Sequence, residues 1–182
     1  MLAPASSSSF NLGCRPLLLM LMLALIPSAG GSAGLNFTLP GLDGRPVRLA
    51  DFRGQWVIVN FWASWCAPCL LEMPELESFH QTQHDRAVVI GVNFEDLALG
   101  EIRSFVKRLG VTFPIVLSAG QPMPGFPLKG LPTTFLVSPS GTLAHTHLGA
   151  VNAALLAERL TELERTGGWP GPKAATSSHL QP

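Results

Sequence analysis

The chain has 182 residues, 47% of them hydrophobic, which is enough for one domain with a real core plus extensions. Its 12 Lys and Arg balance 12 Asp and Glu with no basic stripe, which argues against a nucleic-acid partner. Three cysteines are too few for a disulfide-stapled miniprotein.

Residues 1–34 contain a single charged side chain, Arg15. Leu17 to Ile26 is an unbroken apolar run, ended by Pro27 and followed by the small residues Ser28 to Gly34. A short positive region, a short apolar run and small residues form the pattern of an export signal. Small residues at the positions read by signal peptidase predict a cut after Ala33. The alternative is an uncleaved membrane anchor, although a spanning helix needs about 20 apolar residues. Either form places the following domain in the periplasm or an equivalent extracytoplasmic space. Cleavage would remove Arg15 and Cys14, leaving 11 basic against 12 acidic groups and two cysteines. Cys14 precedes the apolar run, so it is not read as a lipid attachment point.

The domain is expected over residues 35–165. Leu35 to Leu39 alternates, Asp43-Gly44 is a turn pair, and Val47 to Leu49 returns, giving a leading β-hairpin. Trp56 to Phe61 and Val88 to Phe94 are nearly continuous apolar runs, as buried central strands are. Between them, Cys66 to Gln83 spaces Leu70, Met73, Leu76 and Phe79 for a helix, with a kink expected at Pro74. Glu101 to Leu109 forms a second helix. Thr133 to Val137 and Thr142 to His147 flank a Pro-Ser-Gly turn and read as a hairpin. Asn152 opens a last helix that closes at Gly167. The order predicts an α/β sheet with a parallel part and an antiparallel end. Residues 166–182 have no core-forming pattern and are expected to be a disordered tail.

The chemistry concentrates at Cys66-Ala67-Pro68-Cys69. A strand ends at Phe61 and a helix begins at Cys66, where unpartnered N–H groups and the helix dipole favour a thiolate. Cys69, one turn on, is placed to resolve a mixed disulfide, and is expected to be covered while Cys66 is exposed. Pro68 fits the first turn, where its missing N–H does no harm. Zinc would require two further ligands. His80 and His84 fall on a helix face expected to meet solvent, and His145 and His147 alternate on a strand. No metal and no cofactor are therefore expected. Haem attachment would need His after the second cysteine, where Leu70 stands.

Val59 to Cys69 resembles the active-site segment of the thioredoxin superfamily, and Gly130 to Val137 resembles its second signature, the cis-proline loop. The exported start, the leading hairpin and the segment Gly91 to Leu117 make the chain similar to the TlpA/ResA-like branch, which includes the cytochrome c maturation reductants. The resemblance covers Leu35 to Arg165. It implies a thioredoxin-like fold: a central mixed sheet with flanking helices and an N-terminal β-hairpin. It implies Cys66 as nucleophile, Cys69 as resolving thiol, Trp65 shielding the flank of the site, and Pro132 in cis beside the disulfide. It implies an exported monomer that reduces disulfides in other proteins and takes electrons from a membrane donor.

Two departures stand out. Thioredoxins have a buried Asp where Asn60 stands, and Asn cannot titrate. Glu95, with Asp96 behind it, is the candidate for the missing acid; the competing reading is a solvated loop carboxylate. Some branch members carry Glu between the cysteines, where this chain has Ala67, which weakens transfer to the cytochrome maturation reductants. Three other activities compete: a disulfide-inserting oxidant of the same fold, a thiol-based metal carrier, and a peroxiredoxin. The last needs Thr three residues before its cysteine, and Ala63 is there.

Overall fold

The computed structural model describes residues 34–167. The export signal or anchor expected over 1–33 lies outside them, as does the expected tail from 168 onward. Seven strands and three helices follow in chain order: β1 Thr38–Pro40, β2 Pro46–Arg48, β3 Trp56–Trp62, α1 Ala67–Thr82, β4 Ala87–Asn93, α2 Leu99–Leu109, β5 Ile115–Leu117, β6 Thr133–Val137, β7 Leu143–Leu148 and α3 Ala153–Thr166. The central sheet has the order β5-β4-β3-β6-β7. β3, β4 and β5 run parallel, whereas β6 and β7 are antiparallel additions. The thioredoxin-like architecture expected from the sequence is the one observed.

Alternation along the central strands divides the core into two layers. Ile58 and Trp62 of β3, Val89 of β4 and Leu136 of β6 pack with Met73, Leu76 and Phe79 of α1, Ile102 of α2, and Leu156 and Leu160 of α3. Val57, Val59 and Phe61, with Ile90, Val92, Phe135 and Val137, point to the opposite face. Among the described residues, no α-helix covers that second layer. Leu39 and Val47 of the hairpin, Leu49, and Met123 and Phe126 of the segment before β6 cover it instead. Gly91 is required by packing: a Cβ there would lie 2.6 Å from Ile115 Cδ1 and 3.2 Å from Trp62 Nε1.

Several boundaries differ from the sequence expectation. β5 was not expected; at three residues, directly after Pro114, it is too short to show a period. It pairs with the inner strand β4, and Gly41 bridges to Val116 on its outer side, so the hairpin protects this edge. β1 starts at Thr38 because the Leu35 N–H bonds instead to the Gly141 carbonyl, 2.7 Å away, at the β6–β7 turn. Leu49 leaves β2 to begin a 3-10 turn that ends at Phe52. α1 continues as one helix through Pro74. α3 is capped by Asn152, whose Oδ1 accepts the Leu155 N–H at 2.8 Å. It extends to Thr166, one residue beyond the expected end of the domain at Arg165.

Candidate active site

β3 ends at Trp62, and the loop 63–65 leads to Cys66, which is the N-cap of α1 with extended backbone (φ −88°, ψ 94°). Its carbonyl already accepts the Leu70 N–H (3.1 Å), while Pro68 occupies the first turn. Extended geometry at the cap followed by helix sets the two cysteines on one side of the first turn, with Cα atoms 5.2 Å apart and the sulfurs joined. Cys69 is fully buried, as expected. Cys66 is less open than expected, at 5% exposure, because the closed disulfide packs it into the helix-side core layer. It remains the more exposed residue of the pair.

Register brings the second signature to the same place. Phe61 pairs with Thr133, so Pro132, just before β6, lies at the end of the sheet where loop 63–65 emerges. The Leu131–Pro132 peptide is cis, as the resemblance implied. The Pro132 carbonyl accepts the Gly149 N–H (2.9 Å), and the Thr133 hydroxyl donates to the Gly130 carbonyl (2.6 Å), which pins both sides of the loop. Leu131 packs against the core layer that holds both cysteines. Trp65 stands 71% exposed beside Cys66.

Glu95 is not a solvated loop carboxylate. It is nearly buried, and its carboxylate accepts three hydrogen bonds: the Ser64 N–H (2.6 Å), the Ser64 hydroxyl (2.8 Å) and the Asn93 amide (2.8 Å). It therefore grips the loop two residues before Cys66. Asp96 is exposed.

A second buried acid was missed by the sequence reading. Glu72 of α1 is only 1% exposed, one turn beyond Cys69 on the same buried side. Its carboxylate accepts the Asn60 amide (2.8 Å) and the Val151 N–H (2.8 Å). Burial pushes its carboxyl up to about 7, against the pull of those two hydrogen bonds. The Asn60 amide also reaches Thr134 Oγ1 (3.0 Å), while Asn60 Oδ1 is buried with no hydrogen-bond partner among the described residues. Two signals could have found this pair. Asn60 is a polar residue inside an apolar strand, and Glu72 falls on the helical stripe Cys69, Met73, Leu76 and Phe79.

His80 also departs from expectation. It is half-buried, edge-on to Phe113, and burial lowers its pKa. Among the described residues no three His, Cys, Asp or Glu side chains converge as a metal site would need.

Residues 31–146 match the AhpC/TSA family. The chain belongs to that family. This AhpC/TSA-family chain is 33% identical over 138 residues to the thiol-disulfide oxidoreductase ResA of Geobacillus thermodenitrificans, covering 75% of this chain and 79% of that one. The structure of StoA from Bacillus subtilis superposes with TM-score 0.60 at 32% identity, over 69% of this chain and 96% of that one. A secreted thiol-disulfide isomerase from Corynebacterium glutamicum superposes with TM-score 0.61 at 25% identity, over 71% and 85%. This family member is a thioredoxin-like thiol–disulfide oxidoreductase built on a Cys-Ala-Pro-Cys pair.

Proposed function

We propose that the protein is exported and reduces disulfides in other proteins, with Cys66 attacking, Cys69 resolving and Glu72 handling the proton of Cys69. The observation that carries this reading is the disulfide-linked Cys66–Cys69 pair at the start of α1, with a buried carboxyl of raised pKa, Glu72, one helical turn beyond the resolving cysteine. In the reduced protein the helix start favours the Cys66 thiolate. That thiolate attacks one sulfur of the substrate disulfide; the substrate S–S bond breaks and its other sulfur leaves as a thiolate. Cys69 then attacks the Cys66 sulfur and releases the second substrate thiol. The protein ends as the disulfide, having given up two electrons.

Cys69 is fully buried, so its thiol does not ionise unaided. A carboxylate with a pKa of about 7 accepts that proton at neutral pH without holding it permanently. Glu95 is a positioning residue in this scheme, fixing loop 63–65 so that Cys66 stays at the helix start. Trp65 and cis-Pro132 form the two sides across which the substrate chain passes.

Export is supported by the Arg15–Gly34 pattern and by likeness to a protein described as secreted. Mass spectrometry of the native chain should find a start near Gly34; a chain still beginning at Met1 in a membrane fraction would point to the anchor. Electrons would come from a membrane donor. The resemblance to a branch that includes the cytochrome c maturation reductants brings in apocytochrome cysteines as exported substrates, and Ala67 counts against them.

Two measurements test the activity. In the native host, acid-quenched thiol trapping should find the pair mainly reduced; a mainly oxidised pair would make the protein an oxidant. Cys69→Ser should accumulate mixed disulfides with partner proteins on non-reducing gels, and Cys66→Ser should accumulate none. The reverse pattern would exchange the two roles.

A further inference from the structure

Asn60 interrupts the apolar run of β3 and is fully buried. It stands opposite Thr134 of β6, so both side chains lie on the sheet face that α1 covers. Glu72 closes the cluster from α1. The Asn60 amide nitrogen donates to Glu72 Oε1 at 2.8 Å and to Thr134 Oγ1 at 3.0 Å. Both amide hydrogens are therefore committed, while Oδ1 is buried without a hydrogen-bond partner among the described residues. The other carboxylate oxygen, Oε2, accepts the Val151 N–H at 2.8 Å.

This set of partners satisfies a carboxylate but gives a carboxylic acid no acceptor. A carboxylate only accepts hydrogen bonds, whereas the acid must also donate one. A proton on Glu72 would meet the Val151 N–H on one oxygen and the Asn60 N–H on the other. The Val151 N–H belongs to the backbone and cannot reverse. Asn60 can reverse: a half-turn of its amide exchanges Oδ1 and Nδ2, so that Oδ1 faces both Glu72 and Thr134. Glu72 then donates to Oδ1. Thr134 adapts in place, because a hydroxyl that accepts from an N–H can turn its own hydrogen toward a carbonyl oxygen. The unpartnered site changes occupant from Oδ1 to Nδ2, and the rest of the cluster stays paired. An Asp at position 60 would offer the carboxylate no N–H and would compete for the proton.

We infer that Asn60 is a positioning residue that follows the proton on Glu72: its amide donates to the carboxylate, turns over when the acid forms, and accepts the acid O–H, while Thr134 reverses its hydroxyl in step. The inference rests on the proton-handling role of Glu72 and names the groups that let a buried acid change state without moving the backbone. The proton comes from the Cys69 thiol and stays on Glu72; the amide hydrogens of Asn60 never leave nitrogen. Glu72 is in no ion pair among the described residues. Cys69 lies one turn before it on α1, and Glu75, on the exposed side of the same helix, holds the Ala153 N–H. The titratable side chain sharing the face of Thr134 is His147, directly opposite it on β7.

The test follows the full chain in its disulfide form by NMR, so it does not depend on exchange activity. Protein isotopically labelled at Asn amides and Glu carboxyl carbons is titrated from about pH 5 to about pH 9. The Glu72 carboxyl carbon should titrate at about 7, and the Asn60 amide resonances should move with the same midpoint. Contacts between the Asn60 amide hydrogens and the Glu72 methylenes should be present on the alkaline side and lost on the acid side. A constant Asn60 amide beside a titrating Glu72 would overturn the inference. A Glu72 that does not titrate would instead overturn the proton-handling role beneath it. Thr134→Val keeps the shape and strands one amide hydrogen in the carboxylate state only, so the shared midpoint should rise by about one pH unit, or tenfold in the protonation equilibrium. A fixed amide would be stranded equally in both states, and an unmoved midpoint would count against the flip. Thr134→Ser, which keeps the hydroxyl, should restore the wild-type midpoint. His147→Gln should leave both titrations in place; their loss would assign them to His147 and overturn the inference. If Thr134→Val does not fold, the wild-type titration still decides.

Discussion

At the scale of single residues, the site depends on where two acids sit relative to two cysteines. Thioredoxins place a titrating acid on the central strand; here the strand supplies Asn60 and the helix supplies Glu72, joined by a 2.8 Å hydrogen bond. The acid is moved from the strand to the helix, one turn beyond Cys69 on the buried side of α1. Glu72→Gln keeps the size and removes the titration. The wild-type exchange rate should rise as pH passes through about 7, where Glu72 becomes able to take a proton. The variant should lose that limb and fall by roughly 10²-fold at neutral pH. Stopped-flow exchange between pH 5 and 9 checks this, and an unchanged profile would remove Glu72 from the proton path.

At the scale of elements, loop 63–65 is the weak link between two strong ones. β3 is hydrogen-bonded on both sides, and α1 is held by its buried stripe. The loop is held to the end of β4 by Glu95, through the Ser64 N–H and hydroxyl. Hydrogen bonds to a charged group contribute about 1.5–3 kcal/mol each. Glu95→Gln replaces the acceptor pair with one acceptor and one donor, so a bond to Ser64 should weaken. Amide hydrogen exchange at Ser64 is expected to accelerate by about tenfold or more, a local opening with the strand cores still protected. Equal exchange in the two proteins would mean that Glu95 does not hold the loop. The same tether explains why Glu95 was hard to classify from sequence. It follows a strand in a polar stretch, and nothing local distinguishes a loop acid that turns inward from one that faces water.

At the scale of the whole molecule, a buried acid makes stability depend on pH. Glu72 has a folded pKa raised from 4.5 to about 7. Between those values the folded state holds a proton that the unfolded state has released, so stability falls as pH rises. Its contribution is fully present below about 4.5 and is lost as pH passes through about 7, a change on the order of 3 kcal/mol. Urea unfolding at pH 5 and pH 8 should therefore show wild type losing more stability across this interval than Glu72→Gln. Parallel behaviour of the two proteins would show that Glu72 ionises in the fold as freely as in water.

Periodicity and spacing were sufficient for the leading hairpin, the two central strands, the helices and the redox pair. Each is a local property: an apolar run, a 3.6-residue stripe, or two cysteines one turn apart at a strand-to-helix junction. The cis-proline loop was legible only by resemblance, since nothing in a Leu-Pro pair distinguishes cis from trans. β5 was lost because three residues cannot display a period. The remaining decisions belonged to tertiary structure. Glu72 meets Asn60 across 12 positions of sequence, and Val151 across 79. Asn60 meets Thr134 across 74. Such pairings are set by strand register and by the packing of α1 on the sheet, and they determine which acid is buried and which groups it can pair with.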